Sequence, residues 1–245
     1  MNKNSAKIAW KVALINLRNI KTPYFVTALV MSIMFVQTGI GMFLATYSGV
    51  DMSQNGEISA GNYLFLLIIL AAAFIPGYHF SRILNLGGKK QDFFLGGLIA
   101  YALLALGASF ANTIIYLSFD AWVIASGHLD GAFFGGVVNL MEVFGWTRGG
   151  IVPAFFRQAA FMFLLATFIH VFAAAQGRWY GWAASIGLVA IIAVFTPIAS
   201  LRAALAWFFR LVIFHQSAVL QILACVALGL ALYALSRPII ARKSI

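Results

Sequence analysis

The sequence predicts an all-α, polytopic membrane protein, and three observations carry that prediction. Six stretches, 22–50, 58–81, 93–119, 158–177, 179–201 and 211–236, contain no Lys, Arg, Asp or Glu over twenty residues or more. At about 1.5 Å per helical residue, each is long enough to cross a bilayer core of about 30 Å. Only 9% of the residues are charged and 63% are hydrophobic, which leaves a soluble fold no wettable surface but suits helices solvated by lipid. Twelve of the sixteen basic residues fall before position 22, in 82–90, at Arg178 and in 237–243, which is one side of a six-span layout. The positive-inside rule makes that side the cytoplasm and places both termini there.

The chain therefore reads as a single transmembrane domain, 1–245, built from an interfacial helix (1–21), a six-span bundle (22–236) and a cytoplasmic tail (237–245). In the first segment, Lys3, Lys7, Lys11, Arg18 and Lys21 alternate with Ile8, Trp10, Val12, Leu14, Ile15 and Leu17, and no acidic residue interrupts them. This pattern predicts an amphipathic helix in the headgroup region. Lys7, Lys11 and Arg18 would meet anionic lipid, with Trp10 at the interface. The first span that follows is too long for the apolar region of a signal peptide, so it is expected to remain uncleaved.

Spans two and three are joined by a basic segment, FSRILNLGGKKQDFFLGG at 80–97. A short amphipathic helix there would display Arg82, Lys89, Lys90 and Asp92 to a soluble partner, with Leu84, Leu86, Phe93 and Phe94 holding it to the bundle. Gly87 and Gly88 allow a sharp turn at its start. The connection 120–150 between spans three and four is long and rich in Gly, Phe, Val and Met. It predicts a short helix over 132–144, on the membrane surface or plugging the mouth of the bundle, with bends at Gly135, Gly136, Gly149 and Gly150. Asp51, Glu57, Asp120, Asp130 and Glu142 all fall on this outer side.

Arg148, Arg157, Arg202 and Arg210 depart from the charge rule. Arg202 and Arg210 lie eight residues apart after Pro197, flanking 203–209. They predict a re-entrant or interfacial hairpin between spans five and six, with both arginines snorkelling to headgroups and Trp207 at the interface. Arg157, near the start of span four, is expected to snorkel outward in the same way.

Most chemistries fail on motif. GGKK at 87–90 has neither the spacing nor the hydroxyl residue of a phosphate loop, so no ATP hydrolysis is expected of the chain itself. His79, His128, His170 and His215 show no metal-ligand spacing, and Cys225 stands alone; no catalytic residue, cofactor site or metal site is predicted. His170, deep in span four, predicts an interhelical hydrogen bond. No carboxylate lies in the middle of a span, which argues against an ion-coupled carrier, and paired aspartates or a Ser/His motif for intramembrane proteolysis are missing.

The basic amphipathic start, the six spans, the LGGKKQDFFLG-type segment after span two and the hairpin between spans five and six together resemble the permease subunits of bacterial ABC exporters. The nearest kind is the short six-span permease used for drugs, peptides, lipids or polysaccharides. The likeness in layout covers nearly the whole chain, apart from a longer connection between spans three and four. It implies a location in the bacterial cytoplasmic membrane, and pairing with a second copy or a related permease. It also implies cytoplasmic ABC ATPase subunits as partners, which would hold the ATP and Mg. The coupling role would fall on Leu86, Gly87, Gly88, Lys89, Lys90, Asp92 and Phe93, with Arg82 beside them. The cargo would be an amphipathic peptide, an antibiotic or a lipid-like molecule; membrane lipids are the other partners, and no nucleic acid is expected. Two other classes fit the composition: a non-transporting scaffold or regulatory subunit, and a membrane-embedded lipid-modifying enzyme.

Overall fold

The computed structural model describes residues 3–48, 57–129, 137–176 and 179–241. Asp51, Asp130, Gly135, Gly136, Arg178, Arg242 and Lys243 lie outside the described residues. The described residues fold almost entirely into helices, and five helices among them are long and apolar enough to cross a membrane.

Helix α1 (Lys3–Asn19) forms where the basic amphipathic pattern predicts it. At about 100° per residue, Ala9, Val12, Ala13 and Asn16 share one side, and Lys7, Lys11 and Arg18 share the other. The first side is buried and the second exposed. The next helix, α2 (Lys21–Ser48), leans on the start of span two, with most of its side chains facing outward.

The second span opens at a short strand, β1 (Glu57–Ile58), and a 3-10 turn at Ala60–Tyr63. It continues as α3 (Leu64–Phe74), a π-helical turn at Ile75–His79, and α4 (Phe80–Asn85). Pro76 sits in the wide turn, where its missing N–H is tolerated more readily than in a regular helix. The third span, α5 (Lys90–Ile115), runs on through a second π turn, Tyr116–Asp120, into α6 (Ala121–Leu129).

Beyond it, β2 (Val137–Val138) pairs in parallel with β1, and α7 (Leu140–Val143) and a 3-10 turn at Trp146–Gly149 follow. Met141 and Trp146 are fully buried, so this connection plugs the end of the bundle rather than resting on its surface. Helix α8 (Ile151–Ala175) begins seven residues before the expected span, with Pro153 in its first turn, where an N–H is not needed.

The fifth expected span departs most from the sequence reading. Helix α9 (Trp179–Phe195) has 17 residues, about 25 Å of helix, and a bend of 115° separates it from α10 (Ala199–Val212). Pro197 accounts for the break, because it lacks an N–H and restricts Thr196. Among the described residues the candidate spans number five, or six if this bent pair counts as one. Residues 203–209 lie within the single helix α10, and the chain turns back at the 115° bend between α9 and α10. The last span is α11 (Ala218–Ala241).

The core lies among α3, α5, α8 and α11, around Ile68, Tyr101, Met162 and Tyr233. Lipid does not drive apolar helices together as water does, so close packing at small residues matters. A Cβ on Gly229 would stand 2.9 Å from the Phe163 ring, and one on Gly97 would stand 2.5 Å from the Tyr233 hydroxyl. One on Gly96 would stand 2.6 Å from Val12, so α1 is seated directly against α5.

Candidate functional site

The segment 80–97 marks one end of the bundle. Its connection is four residues long, because α4 ends at Asn85 and the third span itself begins at Lys90. The end of α4 is closed by two backbone bonds, Gly88 N–H to Ile83 O at 3.0 Å and Gly87 N–H to Leu84 O at 2.9 Å. Gly87 has φ of 81°, the left-handed conformation this helix ending requires and glycine adopts without strain. A Cβ on Gly88 would meet the Ile83 side chain at 2.7 Å, so the turn folds back tightly on α4.

No separate amphipathic helix forms here, and the expected display of side chains is only partly realised. Arg82 and Lys89 are exposed, and Leu86, expected to anchor the segment, is 74% exposed at the tip. Asp92 is only 8% exposed, in the first turn of α5, where a carboxylate favours the helix dipole. Phe93 is fully buried and packs edge-on against Phe80, their ring centres 5.3 Å apart. Lys90 donates to Ala241 O at 2.7 Å, which brings the end of α11 to the same end of the bundle.

Helix α1 joins this end through Gly96 and through Asn16, whose Oδ1 lies 3.2 Å from Nδ1 of the buried His79. Lys7, Trp10, Lys11 and Arg18 remain exposed beside it. In the bundle interior, Tyr101 Oη lies 2.7 Å from His170 Nδ1, so the intramembrane histidine is hydrogen-bonded between helices as its depth predicts. Tyr233 packs against the same imidazole with the rings tilted by 36° and donates to Phe94 O at 2.6 Å.

At the opposite end, polar side chains from three segments meet. Ser59 donates to Asp120 Oδ2 at 2.7 Å, and Asn139 Nδ2 donates to the same oxygen at 3.0 Å. Asn62 donates to Val138 O at 2.8 Å and accepts from Leu140 N–H at 3.0 Å, holding the plug to span two. Thr38 of α2 donates to Glu57, and Tyr116 donates to Glu142 at 2.7 Å.

The carbonyls at the end of α10 and just after it are likewise held by side chains. Trp146 Nε1 donates to Ile213 O at 2.7 Å, Gln221 Nε2 to Val212 O at 3.0 Å, and Arg157 Nη2 to Gln216 O at 2.6 Å. Arg157 is thus buried against a backbone carbonyl, correcting the expectation that it snorkels outward. Arg202, Trp207 and Arg210 are exposed on α10 and are not brought to the Gly87 turn. Among the described residues no group of three or more His, Cys, Asp or Glu is placed to hold a metal ion.

The sequence reading missed the Ser59, Asn62, Asp120 and Asn139 assembly. The available signal was Ser59 and Asn62 at the start of an uncharged run, on the same outer side as Asp120 and Asn139. The fold defines a polytopic α-helical protein of the kind that spans a membrane. Comparison with family models, curated proteins and solved structures gives no match, so nothing narrows that class further.

Proposed function

We propose that the chain is the transmembrane permease subunit of an ATP-driven exporter of the ABC class, seated in a bacterial cytoplasmic membrane. The observation that carries this reading is the closed turn 86–89, which holds an exposed Leu86 between exposed Arg82 and Lys89. A rigid apolar tip flanked by positive charge suits docking to a soluble protein, here an ATPase subunit holding ATP and Mg.

The turn has no slack. A push on Leu86 passes to α4 and α5 together, and α1 moves with α5 because Val12 and Ala9 are seated on Gly96. Closure of two ATPase subunits on ATP would therefore displace spans two and three as a unit and open the pathway away from the cytoplasm. The outward-facing side chains of α2 and α9 leave surface for a second permease copy or a related chain. An apolar recess of about 220 Å³ between α5, α8 and α11, lined by Leu106, Phe156, Phe163 and Val226, is smaller than a whole-ligand site but takes one apolar group of an amphipathic peptide, an antibiotic or a lipid-like cargo.

The test is affinity purification of the tagged protein in mild detergent, with an ATPase assay on the complex. A stoichiometric ATPase is expected to co-purify, and Leu86→Asp is expected to weaken its binding by about tenfold, roughly 1.4 kcal/mol. A solitary protein without ATPase activity would favour a scaffold or a lipid-modifying enzyme instead.

A further inference from the structure

Beside the Gly87 turn lies a cleft of about 310 Å³, at the small end of the roughly 300–1,000 Å³ typical of ligand sites. Its polar lining is Lys90, Gln91 and Arg237, its apolar wall is formed by Phe94, Leu95 and Ile240, and no acidic side chain lines it among the described residues. It sits where two candidate spans end together, Lys90–Ala125 at its first residue and Ala218–Ala241 at its last. The Lys90 bond to Ala241 O ties those two ends together and fixes the ammonium at the cleft.

We propose that this cleft binds the phosphate headgroup of an anionic membrane phospholipid. Two like charges 147 positions apart in sequence are held in one concave site, at the depth where two apolar helices meet water. A diester phosphate pairs with the Arg237 guanidinium beside the Lys90 ammonium, and the apolar wall below them takes the upper part of the acyl chains. A zwitterionic headgroup brings a positive charge to the same place and is disfavoured. Free phosphate has the same anionic chemistry but leaves the half-buried Phe94 and Leu95 uncovered. This inference does not depend on the exporter reading, since a scaffold with the same fold would carry the same cleft.

The experiment is native mass spectrometry of the delipidated full-length protein with phosphatidylglycerol, phosphatidylcholine or inorganic phosphate. The wild type is expected to retain phosphatidylglycerol over phosphatidylcholine. Arg237→Gln is expected to lower that retention about fivefold, the effect of one basic residue near an anionic surface. Gln91→Glu, which places a carboxylate at the exposed rim without changing size, is expected to lower it as well, and Arg148→Gln on the opposite end to leave it unchanged. Equal retention of the two lipids by the wild type, equal phosphatidylglycerol retention by wild type and Arg237→Gln, or displacement of the lipid by millimolar phosphate would each overturn the proposal.

Discussion

At the end of the bundle that holds Asp120 and Trp146, side chains close on one another and on backbone carbonyls. At the end that holds Gly87, two backbone bonds and a glycine make the turn and leave Arg82, Leu86 and Lys89 exposed. The first construction spends polar groups on internal bonds, so each of them is expensive to remove. The second satisfies its backbone with backbone and keeps its side chains available. Substitutions at the Asp120 end should therefore cost stability, whereas substitutions at the tip of the Gly87 turn should cost interaction.

The largest expected loss is at Trp146, which is fully buried against Phe144 and Phe161 and also donates to Ile213 O. Trp146→Ala should destabilise the protein by about 3–5 kcal/mol, read as the shift in thermal unfolding in detergent. Asn139→Ala removes the donor to Asp120 and the cap on Met141 N–H, and should cost about 1–3 kcal/mol in the same measurement. Gly87→Ala should cost about 1–2 kcal/mol, because a Cβ in the left-handed conformation is strained even though nothing lies within 4 Å of it. If Asn139→Ala and Lys89→Ala had equal effects on unfolding, the contrast between the two ends would fail.

Much of this architecture was legible in the chain. The four-residue spacing of Lys3, Lys7 and Lys11 located α1, and the glycine pair located the turn. The length of α9 was not legible, because freedom from charge over 179–201 measures solubility in lipid and not continuity of helix. Nor was the inward face of Asp92. In a bundle solvated by lipid, apolar residues surround each helix on all sides, so periodicity does not reveal which face packs. Arg157 found its carbonyl 59 positions away, and Asn139 reaches Ser59 across 80, pairings that only the assembled fold brings together.

The same reasoning separates the two functional proposals. The docking tip depends on Leu86, Arg82 and Lys89, and the lipid cleft on Arg237 and Gln91, two sets that share no residue. A substitution in one set is expected to leave the other readout unchanged, so a shared loss would point to unfolding of that end rather than to either interaction.

Site-directed cross-linking tests the central claim most directly, since Cys225, the chain's single cysteine, is fully buried and gives little background. Leu86→Cys and Val143→Cys, at opposite ends and both exposed in the parent chain, would each be labelled with a maleimide–benzophenone reagent, whose photoactivated end inserts into neighbouring C–H bonds, in the native membrane. The account predicts a covalent adduct between the Leu86→Cys variant and the ATPase subunit, and none from Val143→Cys. An adduct from Val143→Cys alone, or none from Leu86→Cys in a complex that still co-purifies with the ATPase, would contradict it.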